Sequence, residues 1–376
     1  MRRVTPLTVK QGVEKRCGEC RIELPEAARF CFICGREIDV SAEGAAALGS
    51  GDDAVVATVR ARLVHALGSR YRVREVLGKG GMGIVFLADD LTDGIPVAIK
   101  VLRPELSSDE TGVARFRREA EIAARLEHPG IIPILRVGSE DGVHYFVMRY
   151  VDGCSLDALL RERKAEERPL SIAAVVRILG DAAATLGHAH REGIVHRDVK
   201  PANIMLDEES RVLLTDFGIS KSAVASTGAT TAAALTEFGT VLGTPHYLAP
   251  EQALSRSVDG RADQYALAIV GFEMLTGAVP FDDETPHGSI HRHVNELPPR
   301  LTAVRPDVPE HLAAAIARAL LKAPSHRFAT MDEFARALDP AAARAVRQRR
   351  VVRVAAAVVL AAAGLAAAAW ASGVAR

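Results

Sequence analysis

Along this 376-residue chain the spacing of apolar positions is mainly strand-like before Gly153 and mainly helical after it, and that change divides it. Short apolar runs at 96–102, 131–137 and 144–148 read as strands, joined by a glycine-bearing hairpin that begins near Tyr71. One segment among them, 111–127, sets Phe116, Ile122, Ala123 and Leu126 on one face at three- and four-residue spacing, which predicts a helix ended by Pro129. Glu119 shares that apolar face, where an unpaired carboxylate is costly, so it needs a cation. After Gly153 the pattern turns mainly helical. A strand-rich lobe followed by a helix-rich one predicts an α+β fold of two lobes. Residues 1–40 are too short to fold without a staple. The Ala-, Gly-, Ser- and Asp-rich stretch 41–70 reads as a linker with a weakly helical patch at 55–67. An apolar run closes the chain.

Charge adds one asymmetry. The chain carries 47 basic and 47 acidic residues, so nucleic acid is not indicated as a partner. Yet Arg344, Arg347, Arg349, Arg350 and Arg353 stand together without an acid, directly before the apolar run. Basic residues beside an apolar stretch mark a membrane boundary more often than a nucleic-acid site. The start, Met1-Arg2-Arg3, has no apolar run behind its charges and is not a signal peptide.

The chemistry concentrates in His196-Arg197-Asp198-Val199-Lys200-Pro201-Ala202-Asn203 and in Asp216-Phe217-Gly218. The first supplies a base, a phosphate-seeking cation and a metal-binding amide, and the second adds a carboxylate. Upstream, Leu77-Gly78-Lys79-Gly80-Gly81-Met82-Gly83-Ile84-Val85 lets backbone amides approach phosphate oxygens without Cβ clashes. A strand, Val97-Ala98-Ile99-Lys100, then ends in a lysine. This is equipment for moving a phosphoryl group from a magnesium nucleotide to a hydroxyl.

In order and spacing these motifs resemble those of the eukaryotic-like serine/threonine protein kinases of bacteria, over residues 71–338. The resemblance implies a two-lobed kinase fold that uses ATP and Mg2+ (or Mn2+). Lys100, paired with Glu119, would hold the α- and β-phosphates, and adenine would lie near Met148 and Val151 under Val85 and Ala98. Asp198 would orient and deprotonate the acceptor hydroxyl, with Lys200 neutralising the transferring group. Asn203 and Asp216 would hold the metal. Lys200 and the Gly243-Thr244-Pro245 stretch resemble the Ser/Thr branch, so protein Ser/Thr side chains are the implied acceptors. Glu251 would pair with Arg327, and Asp263 would anchor the catalytic loop. Arg149 stands where the family commonly has an acid. Cys154, just beyond, reads as a buried small residue, with a reactive thiol as the alternative. In the hydroxyl-rich stretch before Gly243, Thr236 and Thr240 lie at the family's usual phosphorylation positions, and Arg197 is a guanidinium for such a phosphate.

Two flanking features remain. Cys17, Cys20, Cys31 and Cys34 form two C-x2-C pairs ten residues apart, the spacing of a structural Zn2+ ribbon; a disulfide pair is the competing reading. The apolar run, counted from 351 to 371, is about 31 Å long as a helix, matching a hydrocarbon core of ~30 Å. Residues 354–371 are therefore expected to cross the cell membrane once, after a basic juxtamembrane segment at 339–353 and before a short tail at 372–376. Alanine dominates the run, so a soluble helix competes. The preceding arginines keep the kinase side in the cytoplasm. With only five residues after it, no outer sensor domain is expected. Partners would be protein substrates, the membrane and a second copy in a homodimer. The rival functions are a pseudokinase scaffold and a zinc-ribbon adaptor.

Overall fold

Two short strands, β1 (Lys15–Arg16) and β2 (Glu23–Leu24), pair antiparallel on either side, in sequence, of Cys17 and Cys20. They belong to a computed structural model that describes residues 15–16, 23–24, 51–107, 109–217, 245–339 and 341. The chain divides into two units, one running to Glu127 and resuming over Ile132–Asp152, the other formed by His128–Ile131 and the chain from Gly153.

In the first unit, helix α1 (Gly51–Leu67) precedes β3 (Tyr71–Lys79), β4 (Gly83–Asp90) and β5 (Pro96–Leu102). The short α2 (Pro104–Ser107) and α3 (Glu110–Ala123) follow, then β6 (Ile134–Glu140) and β7 (Val143–Arg149). The strands form one antiparallel sheet in the order β3-β4-β5-β7-β6. Directly opposed residues point to the same side, so the register assigns the faces. Val85, Lys100 and Phe146 stand in one row, and Leu87, Ala98 and Met148 in the next, on a common face. Helix α3 packs there, its Phe116 ring 5.0 Å from that of Phe146. The other face presents Ile84, Phe86, Ile99, Val101, Tyr145 and Val147 to α1.

Three differences from the sequence reading have local causes. The stretch expected to be a linker holds a 17-residue helix whose Val59, Leu63 and Leu67, four residues apart, are buried. Its partner is a sheet face distant in sequence, which no local pattern reveals. The helix expected over 111–127 stops at Ala123, because Arg125 and Leu126 bond back three residues, closing a tighter turn. The strand expected from residue 131 starts at Ile134, after Pro133, which has no N–H to offer a ladder. The turn from β6 to β7 puts Asp141 and Gly142 at φ of 49° and 71°, the left-handed pair that a two-residue hairpin requires.

The second unit opens with β8 (Gly153–Ser155), α4 (Leu156–Ala165) and α5 (Ile172–Arg191). After the loop that carries His196 to Asn203 come β9 (Ile204–Asp207) and β10 (Val212–Leu214), forming a small sheet in the order β10-β9-β8. The helices α6 (Pro250–Ala253), α7 (Gly260–Thr276), α8 (Pro286–Asn295), α9 (Leu301–Val304), α10 (Glu310–Ala319) and α11 (Met331–Leu338) complete it. Helix α7 is buried on nearly every side and forms the spine of this unit. Among the described residues, α5 alone is long and apolar enough to cross a membrane. Its Val175, Ile178, Leu179, Ala182, Ala183 and Leu186 are buried in the protein, so its hydrophobicity is spent on the core. The segment expected to span a membrane, 354–371, lies outside the described residues.

Candidate active site

In the first unit the β3–β4 hairpin carries the glycine-rich stretch. Gly83 comes so close to β5 that a Cβ would stand 2.6 Å from the Val101 carbonyl oxygen, so packing alone demands glycine there. At Gly78 a Cβ would meet no protein atom within 4 Å. The fold does not require glycine there, and the space beside it is open. Gly80 N–H closes the turn onto the Gly83 carbonyl at 2.8 Å. Arg103, given no role in the sequence reading, braces the turn: its Nε donates to the Gly80 carbonyl at 2.9 Å and its N–H to Met82 at 3.1 Å.

Lys100 is buried on the sheet face that also bears Val85, Ala98 and Met148. Its Nζ lies 3.0 Å from Oε1 of Glu119, which is also buried, and 5.5 Å from the centre of the Phe146 ring. The carboxylate placed on the apolar side of α3 thus has the cation its burial demands. Val151 is buried at the end of this unit.

In the second unit one carboxylate organises the loop that carries Asp198. Asp263, 1% exposed on α7, accepts from the backbone N–H of His196 at 2.8 Å and of Arg197 at 2.7 Å. Its Oδ2 also lies 2.7 Å from Nε2 of His190. Arg197 is held at φ 66°, a left-handed conformation that non-glycine residues seldom adopt, and its carbonyl accepts from Gln252 Nε2 at 3.0 Å. Asp216 has φ 56°.

The imidazole of His196 is 1% exposed, its ring tilted against that of Phe217 with centroids 4.5 Å apart. Its partners fix its tautomer. The Thr215 carbonyl, 3.0 Å from Nε2, can only accept, whereas the Asp198 N–H, 3.3 Å from Nδ1, can only donate. The ring is therefore neutral, with its proton on Nε2. Burial holds its pKa below the ordinary 6.5 against the raising pull of Asp263 and Asp198.

Asp198 is oriented from two sides. Lys200 Nζ lies 2.7 Å from its Oδ2, and Asn203 Nδ2 donates to its carbonyl at 2.8 Å and to Oδ2 at 3.2 Å. With its amide nitrogen so engaged, Asn203 presents its Oδ1 as the atom for a cation. That oxygen and the Asp216 carboxylate are the hard donors Mg2+ takes. Further off, Arg327 and Glu251 form a two-pronged buried ion pair at 2.7 and 2.8 Å. The remaining Arg327 donors reach the carbonyls of Arg261, Leu321 and Lys322, so all five are used.

One sequence reading is corrected here. Cys154, expected to be a buried small residue, is exposed and has a free thiol. The short β8 pairs it with Leu206 but covers it with nothing. Gly81 and Met82 complete the hairpin turn. Gly218, Thr236, Thr240, Gly243, Thr244, Cys17, Cys20, Cys31 and Cys34 lie outside the described residues.

Residues 71–337 match the protein kinase domain family. The chain is 39% identical over 267 residues to serine/threonine-protein kinase PrkC of Bacillus subtilis, covering 71% of this chain and 40% of that protein. It is 41% identical over 271 residues to serine/threonine-protein kinase PknB of Mycolicibacterium smegmatis, covering 71% and 42%. The chain thus spans well under half the length of these relatives. Among solved structures it resembles the PknI kinase domain of Mycobacterium tuberculosis, at 36% identity and a TM-score of 0.57, covering 73% of this chain and 96% of that one.

Four histidines, His196 and His293 buried and His128 and His144 half-buried, contribute a pH dependence of one sign. Burial lowers the pKa of His128, His144 and His196 below 6.5, and that of His293 to about 3. Below pH 6.5 the unfolded chain binds more protons than the folded one, so stability present above that pH is lost as pH falls. Urea midpoints measured from pH 7 to pH 5.5 are expected to decline as the pH falls through about 6.5. A midpoint that rises on acidification contradicts neutral rings at these positions.

Proposed function

The chain belongs to the protein kinase family, and from that premise we propose that it transfers the γ-phosphoryl group of ATP to serine and threonine hydroxyls of proteins. The observation that carries this reading is the Asp198 carboxylate, steered by Lys200 and Asn203 in a loop anchored at Asp263. The acceptor hydroxyl oxygen attacks the γ-phosphorus, the bond to the β,γ-bridging oxygen breaks, and ADP leaves. Asp198 takes the hydroxyl proton. Lys200 offsets negative charge on the transferring group. The glycine-rich turn presents backbone N–H groups to the phosphates, and Lys100 holds them, its own position set by Glu119. Val85, Ala98, Met148 and Val151 offer an apolar bed for adenine. Asn203 and Asp216 would hold Mg2+, which when bound neutralises phosphate charge. Intact Lys100, Asp198, Asn203 and Asp216 argue against a pseudokinase.

In the same reading Thr236 and Thr240 are the autophosphorylation sites, with Arg197 as phosphate partner. Cys17, Cys20, Cys31 and Cys34 hold one structural Zn2+, supported by the β1–β2 pairing that flanks the first cysteine pair. Residues 354–371 anchor the chain in the cell membrane with the kinase domain cytoplasmic. Whole-chain measurements test these flanking proposals together. One zinc per chain, recovery with membranes after carbonate washing and phosphate mapped to Thr236 or Thr240 are expected. Metal-free chain, soluble chain or an unmodified segment in active enzyme would each remove the corresponding proposal.

The central assignment is tested on radiolabelled ATP and a generic protein acceptor. Asp198→Asn is expected to bind ATP as before and to lose turnover by about 100- to 10,000-fold, the range for a positioned acid–base group. Lys100→Met should weaken nucleotide binding as well. Undiminished transfer by Asp198→Asn would overturn the assignment.

A further inference from the structure

Helix α1 lies outside the kinase match, which begins at residue 71, yet it is fastened to the glycine-rich hairpin at two polar points as well as through its apolar stripe. The first point is at a fault in β3. Between Val73 and Val76, and again between Val76 and Gly78, the strand slips register against β4. Such bulges free backbone groups from the ladder and re-aim the strand beyond them. The carbonyls of Val73 and Arg74, at that fault, are taken by Nη2 of Arg60 on α1. The strand beyond runs into Leu77-Gly78-Lys79-Gly80. The second point is in that stretch itself, where Asp53, near the start of α1, lies 2.9 Å from Nζ of Lys79.

The buried stripe gives α1 the stability to serve as a fixed reference. Val59, Leu63 and Leu67 are each 2% exposed or less, so apolar burial fixes the helix to the sheet. The polar contacts add direction. An ion pair as exposed as Asp53–Lys79 contributes little to folding, so its consequence lies in where it holds the loop. We infer that α1 is a built-in clamp on the phosphate-binding hairpin, with Arg60 and Asp53 as positioning residues that set affinity for ATP. This rests on reading residues 77–83 as the phosphate cradle. It makes the nucleotide-binding module begin at α1, some twenty residues before the family match.

Steady-state kinetics on the full chain, varying MgATP and acceptor separately, test it. Arg60→Met keeps the aliphatic stem and removes the guanidinium. It is expected to raise KM for ATP about 3- to 10-fold, the effect of a lost hydrogen bond, while kcat at saturating ATP and KM for the acceptor stay put. Asp53→Asn should act in the same direction, and Asp53→Glu should restore the wild-type value. Arg62→Met is the matched control, since Arg62 reaches the Gly142 carbonyl at the β6–β7 turn, at 3.4 Å, and not the hairpin. An Arg62→Met enzyme with the same rise in KM would reduce α1 to general packing and overturn the clamp. So would an unchanged KM in Arg60→Met, or a fall in KM in Asp53→Asn, which would mean that Asp53 only screens Lys79. Should Arg60→Met fail to fold, Asp53→Asn, altered at an exposed side chain, carries the test. Lys100→Met separates the clamp from the reading beneath it. If that variant binds ATP normally, the phosphate assignment and the clamp fall together; if it does not and Arg60→Met is silent, the clamp alone falls.

Discussion

The backbone of the catalytic loop is pulled into shape by a single buried carboxylate. Asp263 accepts the N–H groups of His196 and Arg197 through its two oxygens, and His190 completes its shell. A left-handed residue such as Arg197 costs on the order of 1–3 kcal/mol, and hydrogen bonds to a charged group return roughly 1.5–3 kcal/mol each. Two such bonds outweigh one strained residue, so the strain persists. The bend at Arg197 turns the next peptide so that the Asp198 N–H meets the His196 ring. That ring in turn fastens the loop to Thr215, beside Asp216. Asp198, the stretch 215–216 and the His196 ring are thus held from one position on the most buried helix of the unit.

The same economy appears wherever charge is buried. Lys100 and Glu119 neutralise each other on the site face of the sheet, and Arg327 spends every donor on Glu251 and three carbonyls. Pairs like these add little net stability over apolar substitutes, but losing one partner strands the other. Their consequence is a fixed geometry. In the first unit the two faces of the sheet divide the labour: the face toward α1 is packing, and the face toward α3 carries the lysine and the apolar residues assigned to adenine.

How much of this the sequence disclosed follows from how local each feature is. Lys100, Asp198, Asn203 and Asp216 stand in short runs whose order and residue types carry their chemistry, so they were legible. Glu119 was legible because a carboxylate on an apolar helical face requires a partner. Helix α1 was not, because its stripe is dilute in an alanine-rich stretch and its partner is a sheet assembled later in the chain. The exposure of Cys154 escaped for a related reason, since a three-residue strand leaves burial to whatever packs above it. The neutral tautomer of His196 needed both ring contacts in view. Arg103 and Arg60 act on main-chain carbonyls, a type of contact that leaves no residue pattern.

The claim on which the rest depends is that Asp263 holds the catalytic loop in its working form. Amide hydrogen exchange of His196 and Arg197, read beside kcat in Asp263→Asn, addresses it directly. An asparagine keeps the size and one acceptor but turns an N–H toward a backbone donor. The account predicts fast exchange at both amides, measured well below the unfolding midpoint, a midpoint lowered by the lost bonds, and a fall in kcat of about 10- to 100-fold, with ATP affinity close to wild type. Slow exchange at both amides with undiminished kcat would contradict it.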